Sequence, residues 1–153
     1  MPIQKIRQAS RRIHRILDLS KDSATKSDRP PDFKPTLCAI AMPMDTNPHG
    51  DIFGGWLISQ MDLAGGTVAT RHAKGRVVTV AITGMNFHRP VFVGDEVACY
   101  AEVIKVGHTS LTVKIESWAC RGIGDEQIAV TGGTFTYVAV DADGKARLVD
   151  PAS

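Results

Sequence analysis

"GGWLISQMDLAGGTVATRH", residues 54–72, decides the fold. Leu57, Met61, Ala64 and Val68 recur in it at three- and four-residue intervals, the spacing of one face of an α-helix. The runs on either side are built differently. "TLCAIAM" (36–42) precedes it, and "RVVTVAITGMNF", "EVACYAEVIKV", "SLTVKIESWAC" and "QIAVTGGTFTYVAV" follow, all rich in β-branched residues. Val97, Cys99, Ala101 and Val103 alternate onto one face of one run, and Leu111, Val113 and Ile115 onto one face of the next. Turn signals, "VGHT" (106–109) and "RGIGDE" (121–126), separate the later runs and predict antiparallel hairpins. One helix among five strands must cover the sheet alone. The predicted fold is α+β, an antiparallel sheet wrapped around one long central helix.

Three features of the helix call for a reason beyond packing. Gly65 and Gly66 lie in its interior, where each glycine costs about 1 kcal/mol against alanine. They predict a close approach by another element. Asp62 lies between Met61 and Leu63 and four residues from Ile58 and Gly66, among apolar and small neighbours. Gly54 and Gly55 open the helix, so the N–H groups at its positive end carry no side chains of their own. Such an end can stabilise a carbonyl oxygen as it becomes an oxyanion. With Asp62 as a carboxylate base, the pair points to acyl-group hydrolysis. Asp62 facing water on the helix's outer side is the competing reading. Asp62 is seven residues past Gly55, about 10 Å at 1.5 Å per residue. One reacting carbon cannot touch both on one chain, so the site is expected to be shared between subunits.

The 153 residues fit a single domain with no apolar run long enough to span a membrane. The net charge of +2 conceals an asymmetry, with nine Lys/Arg against four Asp/Glu in residues 1–35 and an acidic excess beyond. That distribution argues against a nucleic-acid partner for the domain. Residues 3–17 alternate Ile3, Ile6, Ile13, Ile16 and Leu17 with Arg7, Arg11, Arg12 and Arg15 at helical spacing. Residues 1–33 are read as a basic amphipathic leader and linker, and 34–150 as the domain. Cys38, Cys99 and Cys120 lack metal spacing and read as reduced thiols of a cytosolic protein.

"MPMDTNPHGDIFGGWLISQMDLAGG", "GRVVTVAITGMNFHRPVFVGDEV" and "KVGHTSLTVKIESW" resemble three ordered blocks of the hot-dog acyl-CoA thioesterases, most closely the short bacterial YciA-type enzymes. The resemblance covers about residues 36–149. It implies hydrolysis of acyl-CoA to free acid and coenzyme A, with no cofactor, because coenzyme A is part of the substrate. It implies homodimers joined edge to edge, assembled further as trimers of dimers. By position, Asp62 falls on the catalytic carboxylate, Asp51 on a polar active-site position, and Gly54 and Gly55 on the glycine pair. Asn47, His49 and Phe53 lie in the adjoining loop. Arg89, Val106, Gly107 and Ser110 fall in segments that line the coenzyme A channel. Pro48 departs from the pattern.

Other residues offer weaker chemistry. His49 and His88 form no triad with a serine or cysteine, and no metal site is expected. Cys99 reads as core and His72 as a surface group near the helix end. Arg89 reads either as a structural cation or as a partner of coenzyme A phosphates. The same fold hosts acyl-thioester hydratases and dehydratases, and a non-catalytic acyl-CoA sensor is a third reading.

Overall fold

The predicted helix is present as α1, Gly54–Ala73, and five strands surround it: β1 (Leu37–Ile40), β2 (Val77–Phe87), β3 (Glu96–Val106), β4 (Ser110–Cys120) and β5 (Gln127–Ala139). The structure is a computed structural model that describes residues 28–149, and the amphipathic helix expected over 3–17 lies outside them. The strands form one antiparallel sheet in the order β1-β3-β4-β5-β2. β3–β4 and β4–β5 are the two hairpins their turn signals predict. β2 does not pair with the strand that follows it. It crosses to the far side of β5, so a long strand forms one edge of the sheet and the four-residue β1 the other.

The alternating faces meet the helix as expected. Val97, Cys99, Leu111, Val113 and Ile115 are fully buried, and Leu57, Met61, Ala64 and Ala69 of α1 pack on them with Phe135 and Tyr137 of β5. Burial pushes the Cys99 thiol up to about 11, against a hydrogen bond with Ser117 that lowers it, and Cys99 is a core residue.

The interior glycines have the reason their cost demands. A Cβ on Gly65 would strike the Tyr137 hydroxyl and come within 2.5 Å of Ile115 Cδ1. α1 therefore lies against β4 and β5 as closely as its backbone permits. The helix ends at Lys74, in the left-handed region (φ 50°), where Arg147 Nη2 donates to Ala73 O at 2.9 Å.

The free edge of β2 is apolar. Val80, Ile82 and Phe87 are 55%, 41% and 40% exposed, and Leu63 on the neighbouring side of α1 is 58% exposed. A long, exposed hydrophobic edge is what a monomer avoids and a partner strand covers.

The two interior glycines respond oppositely to a methyl group. Gly65→Ala overpacks the helix–sheet contact and lowers stability by about 1–3 kcal/mol in urea unfolding. A Cβ on Gly66 meets only Tyr137 Cε1 at 3.7 Å, an ordinary contact. Gly66→Ala therefore leaves stability unchanged or raises it by up to about 1 kcal/mol. Equal losses at both positions would mean that helix packing does not set the requirement at Gly65.

Candidate active site

Asp62 lies on the side of α1 that faces the junction of β2 and β5, and it is half-buried. Thr79 of β2 and Tyr137 of β5 are paired across the two strands. Both donate to the same carboxylate oxygen: Thr79 Oγ1 to Asp62 Oδ1 at 2.7 Å and Tyr137 Oη to Oδ1 at 3.0 Å. Among the described residues no donor reaches Oδ2. One oxygen is thus fixed by two hydroxyls, which sets the direction of the other. The reading in which Asp62 merely faces solvent does not hold.

Tyr137 is buried, and its hydroxyl also lies 3.2 Å from Asp62 O. Burial is the largest cause raising its pKa, with the Asp62 charge and the hydrogen bond to it adding in the same direction. Tyr137 therefore stays a neutral donor and orients Asp62 without competing for a proton. Thr79 and Tyr137 escape the sequence reading. Each is an ordinary strand residue, and only the β2–β5 register places both hydroxyls under one carboxylate.

The start of α1 forms a second cluster. Phe53 at the N-cap makes no side-chain capping bond, and the N–H of Trp56 already bonds Phe53 O at 3.1 Å. Among the described residues no acceptor meets the N–H groups of Gly54 or Gly55. The glycines also have a packing reason that the sequence reading lacked. A Cβ on Gly54 would lie 3.3 Å from Phe87 Cζ, and one on Gly55 would lie 2.9 Å from Phe53 Cε2. At Gly54 a side chain would be tight against the Phe87 ring, and at Gly55 the half-exposed Phe53 ring would have to move aside.

Beside this end of the helix is a cleft of about 230 Å³, lined by Ile52, Phe53, Gly54, Leu57, Phe87, Arg89, Pro90 and Val91. Apart from the Arg89 guanidinium its side chains are apolar. The loop before the helix is braced by Asn47, whose Oδ1 accepts the N–H groups of His49 at 2.9 Å and Asp51 at 3.1 Å. Asn47 is thereby an organiser of the loop, which leaves His49 and Asp51 exposed at its rim. Pro48 lies in the same turn, between Asn47 and His49.

The third group of expected residues lies elsewhere. Val106, Gly107 and Ser110 form the β3–β4 turn, closed by Gly107 N–H to Ser110 O at 2.8 Å. Ser110 pairs with Val138, whereas Phe87 pairs with Thr131 near the other end of β5. Seven residues of extended chain separate those rows, about 23 Å at 3.3 Å per residue. The turn is next to Tyr137 and hence to Asp62; Arg89 and the glycine pair are next to Phe87. The two groups of residues are thus well separated within one chain.

Known proteins share this arrangement of elements. Residues 49–122 match the Thioesterase superfamily. The acyl-CoA thioester hydrolase YciA of Salmonella typhimurium is 51% identical over 127 residues, covering 80% of this chain and 95% of that one. A hexameric thioesterase of Yersinia pestis superposes with a TM-score of 0.74 at 51% identity, over 78% of this chain and 98% of its own. An acyl-CoA hydrolase of Staphylococcus aureus, solved in complex with butyryl coenzyme A and with coenzyme A, gives a TM-score of 0.68 at 28% identity, over 73% of this chain and 68% of its own. Variants of that hydrolase with one aspartate, or one threonine further along, changed to alanine have also been solved. With one long α-helix against a five-stranded antiparallel sheet among its described residues, the chain belongs to the YciA-type acyl-CoA thioester hydrolases of the hot-dog Thioesterase superfamily.

Proposed function

We propose that this protein hydrolyses acyl-CoA to a free acid and coenzyme A at sites completed by two subunits. The observation that carries the reading is the Asp62 carboxylate, with Oδ1 held by Thr79 and Tyr137 and Oδ2 open. Asp62 and Thr79 are 17 residues apart. The aspartate and the threonine replaced in the Staphylococcus hydrolase have the same separation.

The chemistry follows from the parts. The thioester carbonyl lies at the start of α1, where the Gly55 N–H and the positive helix end stabilise the oxyanion. Asp62 Oδ2 either removes a proton from the attacking water or attacks the carbonyl carbon itself; both routes use the same oxygen. When the tetrahedral intermediate collapses, the C–S bond breaks. In the base route Asp62 passes the proton it took from water to the coenzyme A thiolate, and the free acid leaves. In the nucleophilic route coenzyme A leaves first; a water then hydrolyses the acyl–Asp62 anhydride, which releases the acid, restores the carboxylate and supplies the thiol's proton. Asp51, at the rim, helps place the water or the thioester. Arg89 at the edge of the apolar cleft meets the coenzyme A phosphates, for which a guanidinium is well suited. Asn47, His49, Phe53 and Gly54 on the same side, and Val106, Gly107 and Ser110 on the other, border the substrate.

The two half-sites also indicate how subunits meet. If the apolar edges of two β2 strands pair antiparallel about a two-fold axis, the Thr79 end of one lies beside the Phe87 end of the other. Asp62 of one subunit then faces the glycine pair and cleft of its neighbour. The pairing extends the sheet across the dimer and covers Val80 and Ile82. A trimer of such dimers agrees with the hexamers formed by the similar thioesterases.

Thiol release from acyl-CoA tests the activity. Asp62→Asn keeps the shape but removes the base, so turnover falls about 10²-fold or more with the fold intact. Thr79→Val retains the carboxylate and loses one donor, so the loss is smaller, about tenfold. Wild-type rates in Asp62→Asn would remove Asp62 from the mechanism. Addition of water to an enoyl-CoA without thiol release would assign the chain to the hydratases.

The shared site is tested by mixing. Asp62→Asn subunits and Gly55→Pro subunits are each inactive. Proline removes the N–H yet is accepted in a helix's first turn, and the half-exposed Phe53 ring can swing aside. Random exchange makes about half of the dimers mixed, each with one intact site, so about a quarter of all sites regain function. A dead mixture with exchange verified by mass spectrometry would place each site within one chain.

A further inference from the structure

The 88–95 loop between β2 and β3 supplies Arg89, Pro90 and Val91 to the cleft. Its two ends are tied to the sheet by the backbone. His88 and Arg89 N–H both reach Val130 O, at 2.7 and 3.3 Å, while Gly94 N–H reaches Ala41 O at 2.8 Å and Asp95 O accepts Ala41 N–H at 3.0 Å. Between those ends, the loop is held by one side chain from β4's far end. Arg121 Nη2 donates to Pro90 O at 3.1 Å and to Asp95 Oδ2 at 2.8 Å, and Nε donates to Asp95 Oδ1 at 3.0 Å. The guanidinium carbon lies 4.3 Å from the centre of the Phe92 ring. Asp95 completes the clamp by accepting the Phe92 N–H at 2.9 Å. Asp95 is 2% exposed, and among the described residues this guanidinium is its countercharge.

We infer that Arg121 is a positioning residue for substrate binding: it holds the Arg89–Val91 wall of the cleft in place from outside the cleft. The inference rests on the proposed reading of that cleft as the coenzyme A side of the site. Arg121 does not line the cleft and makes no bond to Asp62, Thr79, Tyr137 or the glycine pair. Its effect therefore falls on binding, through Arg89, and spares the bond-breaking step. Lysine replaces it only in part, because a single ammonium meets Asp95 but cannot also span to Pro90 O while stacking on Phe92.

The test compares wild type with Arg121→Met, Arg121→Lys and Arg89→Ala on two substrates. One is an acyl-CoA; the other is the same acyl group on N-acetylcysteamine, which keeps the thioester and lacks the nucleotide. Arg121→Met raises KM for acyl-CoA about tenfold with kcat within about twofold, the signature of lost uniform binding. Arg121→Lys falls between, Arg89→Ala raises the same KM, and the truncated thioester is hydrolysed as before by the Arg121 variants. Should the lone Asp95 charge unfold Arg121→Met, the double variant Asp95→Asn/Arg121→Met removes that charge and takes its place. A raised KM in Arg89→Ala with none in the Arg121 variants overturns the positioning role and leaves the cleft assignment standing. No change in KM for either residue overturns both. A fall in kcat on both substrates at unchanged KM also overturns it, since the clamp would then act through general packing.

Discussion

The hydroxyl of Tyr137 reaches Asp62 because α1 passes directly over it at Gly65, where any side chain would collide with that hydroxyl. This close approach links the packing of the domain to its chemistry. The bare helix backbone lets β5 come near enough for a buried phenol to serve as a donor, and the β2–β5 register sets Thr79 beside it. A carboxylate on a helix surface has free rotamers and water for partners. Here two hydroxyls fix one of its oxygens, so the other points to a defined place. Reaction rates are sensitive to such placement, because a base must lie within hydrogen-bond reach of the proton it takes.

The same sheet keeps the remaining parts at a distance. Phe87, Arg89 and the start of α1 are at one end of β2, and Thr79, Asp62 and the β3–β4 turn are at the other. The strand that separates them is the free, apolar edge of the sheet. A two-fold pairing of that edge would cover its exposed side chains and join complementary half-sites in a single step. In that arrangement oligomerisation is a condition of activity.

Support for the cleft comes from a different source. The wall bearing Arg89 is a loop, and loops lack a ladder of backbone bonds to fix their middle. Arg121 and Asp95 provide that restraint, with the planar guanidinium bonded to a carbonyl, a carboxylate and stacked on a ring. The cleft wall thus depends on a salt bridge at the sheet's end, and the Asp62 carboxylate on packing beneath the helix; the two are held by separate means.

The sequence by itself determined the elements and singled out one candidate residue. Helical period in 54–72, alternation in residues 97–103 and 111–115, and the turn signals are local properties, so the helix, the hairpins and the core faces were legible. Asp62 also stood out as a candidate, because a charge among apolar helix neighbours conflicts with its surroundings wherever the helix packs. Only the tertiary structure decided that β2 crosses to the far edge beside β5. That choice rests on contacts between residues far apart in the chain, such as Thr79 with Tyr137. For this reason the donors Thr79 and Tyr137 carry no sequence signal, and neither does the Arg121 clamp on Asp95 and Pro90. Hydrogen bonds across a register exist only after the register is set, and side-chain packing over the whole sheet sets it.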